Sequence, residues 1–465
     1  MKSVLIVAYY FPPVAASGAM RPLAFCRYLE SYGWLPRVLT TDPASVYPPH
    51  PVDRQLVAKL PPAVRVEAVP HGNPLRQLIA WRDHGRTIMG VRQDGQADER
   101  AAGGMDGKPS SGTGQLGALK HFFLDWRFSF PDPQCAWLKP AVALAKRWTQ
   151  AEIPDVVLAT GGPWTSHLVA KSLAQYWRVP YIVDYRDPWT SNPYVSFNSS
   201  YLNGKARRLE QSVSQAAKRV ITNTHELRIQ LERDYPGLTG KTLTIMNGFD
   251  PDSFAASENG PNGTRQGPAH QAGKAKLELC HFGTVYGKRT PAVLFQALHD
   301  LHQAGRLSSE QLHIRFIGAW EVSEPRCEDL AQRLEKVGLL TREPPVPYQE
   351  CLQQMCEADA LLVIQPDSPL QIPGKIYEYV ATRRPLLLVG GEGATANLVQ
   401  RHRLGLACPN DEGKIRQLMV DVLEGRQELS ASPQAEIDRF NYRSLTADLA
   451  RALDEVREEH RKHAG

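Results

Sequence analysis

Residues 371–385 combine residue types that can bind a phosphorylated nucleoside. Pro373 suits the first position of a helix, and Gly374 lets a ligand approach the backbone closely. The free amides of a first helical turn favour an anion, and Lys375 adds a positive charge there. Glu378 follows Lys375 by three residues, so it shares the same helix face. A carboxylate in that place can accept both hydroxyls of a ribose, although a solvated glutamate on an amphipathic helix has the same spacing.

The residues around this segment predict the elements that hold it. Ile376 and Val380 are four residues apart and should face a core. Pro385 should end the helix. The apolar run Leu386–Val389 that follows predicts a buried strand.

A basic pair forms a second candidate anion site. Lys288 and Arg289 come after a predicted strand, Gly283 and Gly287. Arginine binds two phosphate oxygens at once, and lysine acts as a point charge. Strand-end loops of open α/β sheets are where ligands bind, although a solvated basic turn has the same composition.

Three strand-end loops in the first half carry further candidates. The loop Phe11–Gly18 joins the first strand to the first helix, and its small residues leave room for a ligand or make a tight connection. Arg21 should lie in the first helical turn. The loop Thr160–His167 contains two glycines and a histidine that is either structural or a hydrogen-bonding group.

The loop after the strand Tyr181–Asp184 is the third. A carboxylate of Asp184 or Asp187 can orient a hydroxyl group or act as its base. An ion pair between an aspartate and Arg186 that only shapes the loop is equally compatible with the sequence.

Composition narrows the class of protein. The chain has 465 residues, which predicts two or three domains, with 42% hydrophobic and 22% charged residues, as in globular proteins. No apolar run approaches the roughly 18 residues of a membrane span. Seven scattered cysteines predict neither a disulfide framework nor a zinc site, so we expect a cytoplasmic protein without a metal or other cofactor. A net charge of +5 suits anionic ligands or an anionic membrane surface.

Short apolar runs alternate with helical patterns, which predicts parallel sheets with crossover helices. One series of predicted strands occupies the first half of the chain, and a second series begins at Leu277. The predicted strands are Val4–Ala8, Arg37–Thr40, Val64–Val69, Val156–Thr160, Tyr181–Asp184, Val220–Thr222, Leu243–Met246, Leu277–Phe282, Ile314–Ile317, Ala360–Ile364, Leu386–Val389 and Leu406–Ala407.

We therefore predict two similar α/β domains, residues 1–255 and 275–430. Residues 256–274 are rich in glycine, asparagine and proline and predict a linker or loop. Residues 431–465 predict a helical segment that packs back across the domain junction. Residues 85–117 predict a mobile insertion because they contain few large apolar residues.

Five aromatic residues follow the insertion within residues 122–130. Such a cluster is either part of a core or a surface patch that faces a membrane or an acceptor.

The order and spacing of four segments resemble GT-B glycosyltransferases, and most closely the family-4-type group. Besides residues 371–385, they are Met246–Asp250, Phe282–Arg289 and Asp184–Trp189, the last of which is similar to a segment of bacterial surface-polysaccharide transferases. The similarity covers most of residues 1–425 outside the two low-complexity segments.

This resemblance implies an α/β protein with the GT-B fold, in which two Rossmann-like, doubly wound domains face each other across a cleft. It also implies a retaining, metal-independent enzyme of cell-surface polysaccharide biosynthesis. The donor would be a UDP- or GDP-sugar and the acceptor a glycan or lipid-linked molecule, with no nucleic acid partner. Peripheral association with the inner face of the membrane is compatible with it.

The resemblance assigns roles to individual residues. A histidine recurs at the place of His167 in related transferases, where it contacts the donor sugar or the acceptor. The implied catalytic residues are Arg289, Lys288, His167 and Asp187; the donor-binding residues are Gly18, Gly283, Gly374, Lys375 and Glu378; the acceptor-binding residues are Arg21, Asp184 and Arg186.

One departure from the group concerns sugar recognition. The group often has two glutamates eight residues apart, and Glu378 matches the second, whereas Leu370 stands at the first. Two alternatives therefore stay open: a sugar-nucleotide epimerase with the same fold, and a degenerate, non-catalytic binding or assembly protein. A dinucleotide dehydrogenase is disfavoured because no Gly-x-Gly-x-x-Gly follows the first strand.

Overall fold

The computed structural model describes most of the chain outside two long segments. The described residues are 1–46, 49–72, 130–192, 197, 199–255, 276–287, 289–365, 368–430 and 433–464. The predicted insertion at 85–117, the predicted linker at 256–274 and Lys288 lie outside the described residues, as does the aromatic stretch 122–130 apart from Phe130.

The chain divides into two compact units. Unit 1 comprises Met1–Ile245 and Thr446–Gly465, and unit 2 comprises Met246–Leu445. The boundary after Ile245 lies ten residues before the end of the predicted first domain at residue 255. The reason is that Phe249 and Phe254 pack in a core cluster of unit 2.

Unit 1 contains a parallel seven-stranded sheet in the order β3-β2-β1-β4-β5-β6-β7. Its strands are β1 (Lys2–Val7), β2 (Trp34–Thr41), β3 (Arg65–Val69), β4 (Val156–Gly161), β5 (Tyr181–Tyr185), β6 (Arg219–Thr222) and β7 (Thr242–Thr244). The α-helices are α1 (Ser17–Tyr28), α2 (Gln55–Ala58), α3 (Leu138–Ala145), α4 (Thr165–Trp177), α5 (Ser200–Ala216) and α6 (His225–Asp234).

Unit 2 contains a parallel six-stranded sheet in the order β12-β10-β8-β13-β14-β15, and a short pair of β9 with β11. Its strands are β8 (Leu277–Phe282), β9 (Val285–Tyr286), β10 (Leu312–Ile317), β11 (Trp320–Glu321), β12 (Leu340–Glu343), β13 (Ala360–Gln365), β14 (Leu386–Gly390) and β15 (Gly405–Pro409). The α-helices are α7 (Pro251–Ala255), α8 (Ala292–Gln303), α9 (Pro325–Lys336), α10 (Tyr348–Glu357), α11 (Lys375–Ala381), α12 (Ala394–Arg401), α13 (Glu412–Leu423), α14 (Gln434–Ile437) and α15 (Tyr442–Ala464).

Most of α15 belongs to unit 1, where ion pairs hold it. Arg457 donates to Asp155 at 2.7 Å, Arg219 pairs with Glu459, and Lys2 pairs with Asp454. The described part of the predicted C-terminal helical segment, residues 431–465, thus contains two α-helices, α14 and α15.

Each strand predicted from an apolar run is present. Strands inside a parallel sheet that is covered on both faces are buried, and β4, β5, β13 and β14 are buried at every position. Three strands were not predicted. The strand β12 lies at a sheet edge and is polar or charged and half-buried in three of its four positions, while β9 and β11 have only two residues each.

The strand order reverses once in each sheet, between β1 and β4 in unit 1 and between β8 and β13 in unit 2. In open α/β sheets, ligands bind outside the carboxyl ends of the strands at such a switch point. The topology therefore marks two strand-end regions, one in each unit.

Candidate functional site

Two glycines shape the carboxyl end of β8. Gly283 has a φ of +131° and Gly318, after the neighbouring strand β10, has a φ of +148°. A Cβ atom on Gly318 would lie 2.3 Å from the carbonyl oxygen of Gly283. Since side chains are excluded by both the conformation and the contact, the glycines let these two strand ends pass close to each other.

A tyrosine anchors α11 to the end of β8. The hydroxyl of Tyr379 accepts a hydrogen bond from the Phe282 N–H at 2.7 Å and donates one to the Phe282 carbonyl at 3.1 Å. Ile376 and Val380 are 1% and 0% exposed, as predicted, and fix the other side of the helix in the core. The first turn of α11 consequently lies beside Gly283.

The helix start differs in detail from the prediction. The helix begins at Lys375, so Pro373 precedes it instead of holding its first position. The Pro373 carbonyl accepts the first hydrogen bond, from the Ile376 N–H at 3.1 Å. Proline fits here because only its carbonyl is needed.

Lys375 lies at the strand-end region of unit 2, and Gly374 precedes it in an open position. The Cδ and Cε atoms of Lys375 lie 3.9 Å from the position that a Cβ of Gly283 would take, whereas open space surrounds that of Gly374. The Lys375 Nζ lies 3.7 Å from the sulfur of Cys351. Burial raises the pKa of the Cys351 thiol, and the Lys375 charge opposes this.

Glu378 lies one turn further along α11. The Tyr348 hydroxyl, at the start of α10, donates to Glu378 Oε1 at 3.1 Å. Burial raises the pKa of Glu378, while Lys375 and the Tyr348 hydrogen bond lower it. Within the described ranges, Tyr348 is the one group recorded as a hydrogen-bond donor to this carboxylate, which therefore keeps acceptor capacity for a ligand.

Arg289 follows a turn in which its N–H donates to the Tyr286 carbonyl at 3.0 Å. Its guanidinium lies 5.5 Å from the centre of the Tyr286 ring. No ion pair of Arg289 is found among the residues that the structure describes. Its charge is therefore not neutralised by a carboxylate there.

His281, which the sequence analysis did not single out, lies within electrostatic range of both cations. Its Nδ1 lies 2.9 Å from the Leu362 carbonyl, so this nitrogen carries the proton. Burial lowers the pKa of His281 to about 4. The hydrogen bond to Leu362 opposes this shift, and the charges of Lys375 and Arg289 add to it. Its only signal in the sequence is a polar residue inside an apolar strand.

A buried ion pair lies at the corresponding edge of unit 1. Arg21 donates from Nε and Nη2 to the two carboxylate oxygens of Asp184, at 2.9 Å and 2.8 Å. It also donates to the Ile245 carbonyl at 2.8 Å. The two side chains are 2% and 0% exposed. The structure thus pairs Asp184 with Arg21.

Arg186 is bound to the loop after β4. It donates to the Gly161 carbonyl at 3.0 Å and to the Gly162 carbonyl. Burial lowers the pKa of Arg186, and the charges of Asp187 and Asp184 oppose this. A Cβ on Gly18 would lie 2.3 Å from the Arg186 guanidinium. Gly18 therefore makes room for Arg186, and its contact with donor phosphates stays a prediction.

His167 is fully buried in the first turn of α4. Its Nε2 lies 3.3 Å from the Asp184 carbonyl and donates to it, because a carbonyl only accepts. Burial, partly offset by Asp184, lowers the pKa of His167 to about 4, so the ring is neutral at physiological pH. Its Nδ1 is buried without a hydrogen-bond partner in the described part of the chain.

The predicted site residues thus fall into two groups. Unit 2 brings Gly283, Gly374, Lys375 and Glu378 together, and the charges of Lys375 and Arg289 both act on His281. Unit 1 brings Gly18, Arg21, His167, Asp184 and Arg186 together, with Asp187 close to Arg186.

No helix in the described ranges is long and apolar enough to cross a bilayer. Across the same residues, no group of three or more histidine, cysteine, aspartate or glutamate side chains is arranged to hold a metal ion.

Comparison with known proteins identifies the domain type. Residues 116–248 match the family described as a glycosyl transferase 4-like domain. No curated protein sequence matches the chain.

Solved structures share the fold over nearly the whole chain. HepE of Anabaena, crystallised with UDP and glucose, is 15% identical, with a TM-score of 0.58 and coverage of 98% of this chain and 100% of that one. Sucrose-phosphate synthase of Thermosynechococcus elongatus is 12% identical, with a TM-score of 0.60 and coverage of 98% and 99%. A glycosyltransferase of Rickettsia africae is 12% identical, with a TM-score of 0.55 and coverage of 98% of both chains.

The domain match and the shared fold confirm the resemblance found in the sequence: the chain has the GT-B fold and contains a glycosyl transferase 4-like domain.

Proposed function

We propose that the chain is a retaining glycosyltransferase that binds a UDP- or GDP-sugar in unit 2 and transfers the sugar to a glycan or lipid-linked acceptor. The observation that carries the proposal is the placement of Lys375 beside Gly283, at the switch point of the unit 2 sheet, with Glu378 one helical turn further along α11. Cell-surface polysaccharide biosynthesis, in the cytoplasm or at the inner face of the membrane, is the setting in which we expect it.

Glu378 would hold the ribose of the donor. Its carboxylate accepts one hydrogen bond from Tyr348 and has lone pairs left for two ribose hydroxyls. The charge of Lys375 and the Tyr348 hydroxyl both oppose the rise that burial causes in the pKa of this half-buried carboxylate, and so favour its ionised form. Tyr348 is therefore a positioning residue for Glu378.

Cations would stabilise the diphosphate leaving group. Breaking the anomeric C–O bond leaves negative charge on the diphosphate, and preorganised positive groups lower the energy of that transition state. Lys375 and Arg289 lie near His281, whose neutral ring adds no competing charge. We assign the same role to Lys288, and propose that these side chains act without a metal ion.

Unit 1 would receive the acceptor. Asp187 lies near Arg186, and we propose that its carboxylate orients the acceptor hydroxyl or takes its proton. Arg21 and Asp184 are occupied with each other and shielded from solvent, so we assign them the positioning of this loop. A neutral His167, held by the Asp184 carbonyl, would offer a hydrogen-bonding group to the sugar or the acceptor.

A panel of nucleotide sugars tests the proposal. Thermal-shift assays with UDP-, GDP-, TDP- and ADP-sugars identify the donor, because ligand at 100 times its Kd adds about 2.7 kcal/mol of stability. Labelled donor incubated with membrane glycolipid extracts then tests transfer, with excess chelator and with added divalent ions. NMR of the product gives the anomeric configuration.

Glu378→Gln serves as the binding-site variant and Glu350→Gln, on the exposed surface of α10, as its matched control. Failure of every nucleotide sugar to bind would refute the proposal. Binding with isomerisation of the sugar would identify an epimerase, and binding without any reaction would identify a binding protein.

A further inference from the structure

A buried glutamine lies at the switch point of unit 2. Gln365 is the last residue of β13 and is 3% exposed. Its carboxamide nitrogen and oxygen are both buried without a hydrogen-bond partner among the described residues. Its backbone, in contrast, is fixed, because its carbonyl accepts a hydrogen bond from the Gly391 N–H at 3.2 Å.

The alternation of side chains places Gln365 on the same sheet face as α11. Leu361 and Val363, which lie four and two residues before Gln365, pack with Ile376 of α11 in one core cluster. Leu362 and Ile364 belong to the cluster on the other face. The carboxamide is therefore on the side of the sheet that carries Lys375 and Glu378.

The end of β13 lies between the ends of two neighbouring strands. Gln365 is paired in register with Gly390 on one side, and β8, which ends before Gly283, is the neighbour on the other. Further along the chain, the Ala394 N–H donates to the Pro369 carbonyl at 2.8 Å. Gln365 thus ends its strand between Gly390 and β8, at the strand-order switch point where ligands bind in open α/β sheets.

Fold stability does not explain a glutamine at this place. A buried amide without partners costs free energy, whereas leucine would extend the apolar row of Leu361 and Val363. A buried polar group that lacks a partner at a strand end is instead explained when a ligand supplies that partner.

We infer that Gln365 is a specificity-determining residue whose carboxamide hydrogen-bonds to hydroxyl groups of the transferred sugar. A carboxamide offers two donors and an acceptor, which matches hydroxyls because they both donate and accept. A diphosphate only accepts, and Lys375 and Arg289 are suited to it. The inference rests on the proposed function, since it assigns the sugar to the same donor site.

The test compares two ligands that differ only in the sugar. Affinities of UDP and UDP-glucose are measured by calorimetry for the parent, Gln365→Met and Gln365→Asn; GDP and GDP-mannose replace them if only the guanine pair binds the parent. Methionine keeps the length and removes the hydrogen bonds. Gln332→Met is the matched control, because Gln332 is an exposed residue that donates to Glu328 on α9.

We expect Gln365→Met to weaken the nucleotide sugar about 10-fold or more, as expected for lost hydrogen bonds to a sugar. The bare nucleotide should change less than 2-fold, and the melting temperature of the free protein should stay equal or rise because an unpartnered amide is removed. If Gln365 instead stabilised the fold, Gln365→Met should lower the melting temperature of the free protein. The control should change neither affinity nor stability.

Four outcomes would overturn the inference: unchanged affinity for the nucleotide sugar, equal losses for both ligands, unfolding of both Gln365 variants, or loss of stability with the affinity ratio preserved. If the parent binds no nucleotide at all, the proposed function fails as well. Binding of the nucleotide with an unchanged sugar contribution refutes the role of Gln365 alone.

Discussion

Replacement of Arg21 by methionine should destabilise unit 1 strongly, because it leaves the buried Asp184 carboxylate without its cation. The pair contains two charge-assisted hydrogen bonds, at 2.9 Å and 2.8 Å, and a third bond to the Ile245 carbonyl at 2.8 Å. Both side chains are essentially inaccessible to solvent. Water therefore cannot solvate the carboxylate when the guanidinium is removed.

The expected loss follows from that burial. Breaking a buried pair by removal of one partner costs about 3–5 kcal/mol. For a unit of this size, each kcal/mol lowers the melting temperature by about 2–4 °C. Arg21→Met should therefore lower the unfolding temperature of unit 1 by about 10 °C. Replacing both residues, as Arg21→Met with Asp184→Leu, should restore more than half of the loss because no unpaired charge remains.

Calorimetry with urea titration measures this change, with the transitions of the two units analysed separately. Arg451→Met is the matched control, because Arg451 pairs with Asp448 in α15 of unit 1 and is 75% exposed. Such a surface pair should change stability by less than about 1 kcal/mol. An Arg21→Met variant with parental stability and a raised KM for the acceptor would refute the reasoning and favour direct acceptor binding.

Three further predictions concern single charged groups. Glu378→Gln should weaken nucleotide-sugar binding by about 10- to 100-fold, the cost of a charged hydrogen bond, and unchanged affinity by calorimetry would contradict the ribose assignment. Arg289→Ala should lower kcat by about 10²–10³ with little change in melting temperature; activity within a few-fold of the parent would make Arg289 a surface charge. Glu210 is 1% exposed, and burial raises its pKa to about 7 against hydrogen bonds from Thr190 and Tyr235. Its raised pKa adds roughly 3 kcal/mol of stability below about pH 4.5, and this stability is lost as the pH rises to about 7. Glu210→Gln should therefore flatten the dependence of the urea-derived unfolding free energy on pH over that range. An unchanged slope would refute this.

The sequence was informative wherever the physical cause was local. The helix period puts Lys375 and Glu378 on one face of α11, and in the structure Lys375 lies beside Gly283 and interacts electrostatically with Glu378. Apolar runs identified the buried strands for the same reason. The half-buried edge strand β12 was missed because its pairing with β10, from Ile314 with Leu340 onward, depends on a neighbour that is distant in sequence.

Contacts between distant segments were out of reach of sequence patterns. Tyr348 meets Glu378 across 30 residues, and Tyr379 reaches the backbone of Phe282 across 97. The sequence left open an ion pair between Arg186 and an aspartate of its own loop. In the structure, Asp184 pairs instead with Arg21, which is 163 residues away in the sequence. The sequence did not identify Gln365 as a candidate, because a polar residue at the end of an apolar run is typical of an ordinary strand terminus.

The state of the cations distinguishes the two switch points. In unit 1, Arg21 is neutralised by Asp184, and Arg186 is bound to two backbone carbonyls with acidic groups nearby. In unit 2, Lys375 contacts the Cys351 thiol at 3.7 Å and interacts with the charge of Glu378. The described contacts of Arg289 are with the backbone carbonyl and the ring of Tyr286. A diphosphate that entered unit 1 would have to break a buried ion pair, at a cost of about 3–5 kcal/mol, before it gained a cation. Because no such cost arises at Arg289, charge alone favours unit 2 for the donor and leaves unit 1 for an uncharged hydroxyl of the acceptor.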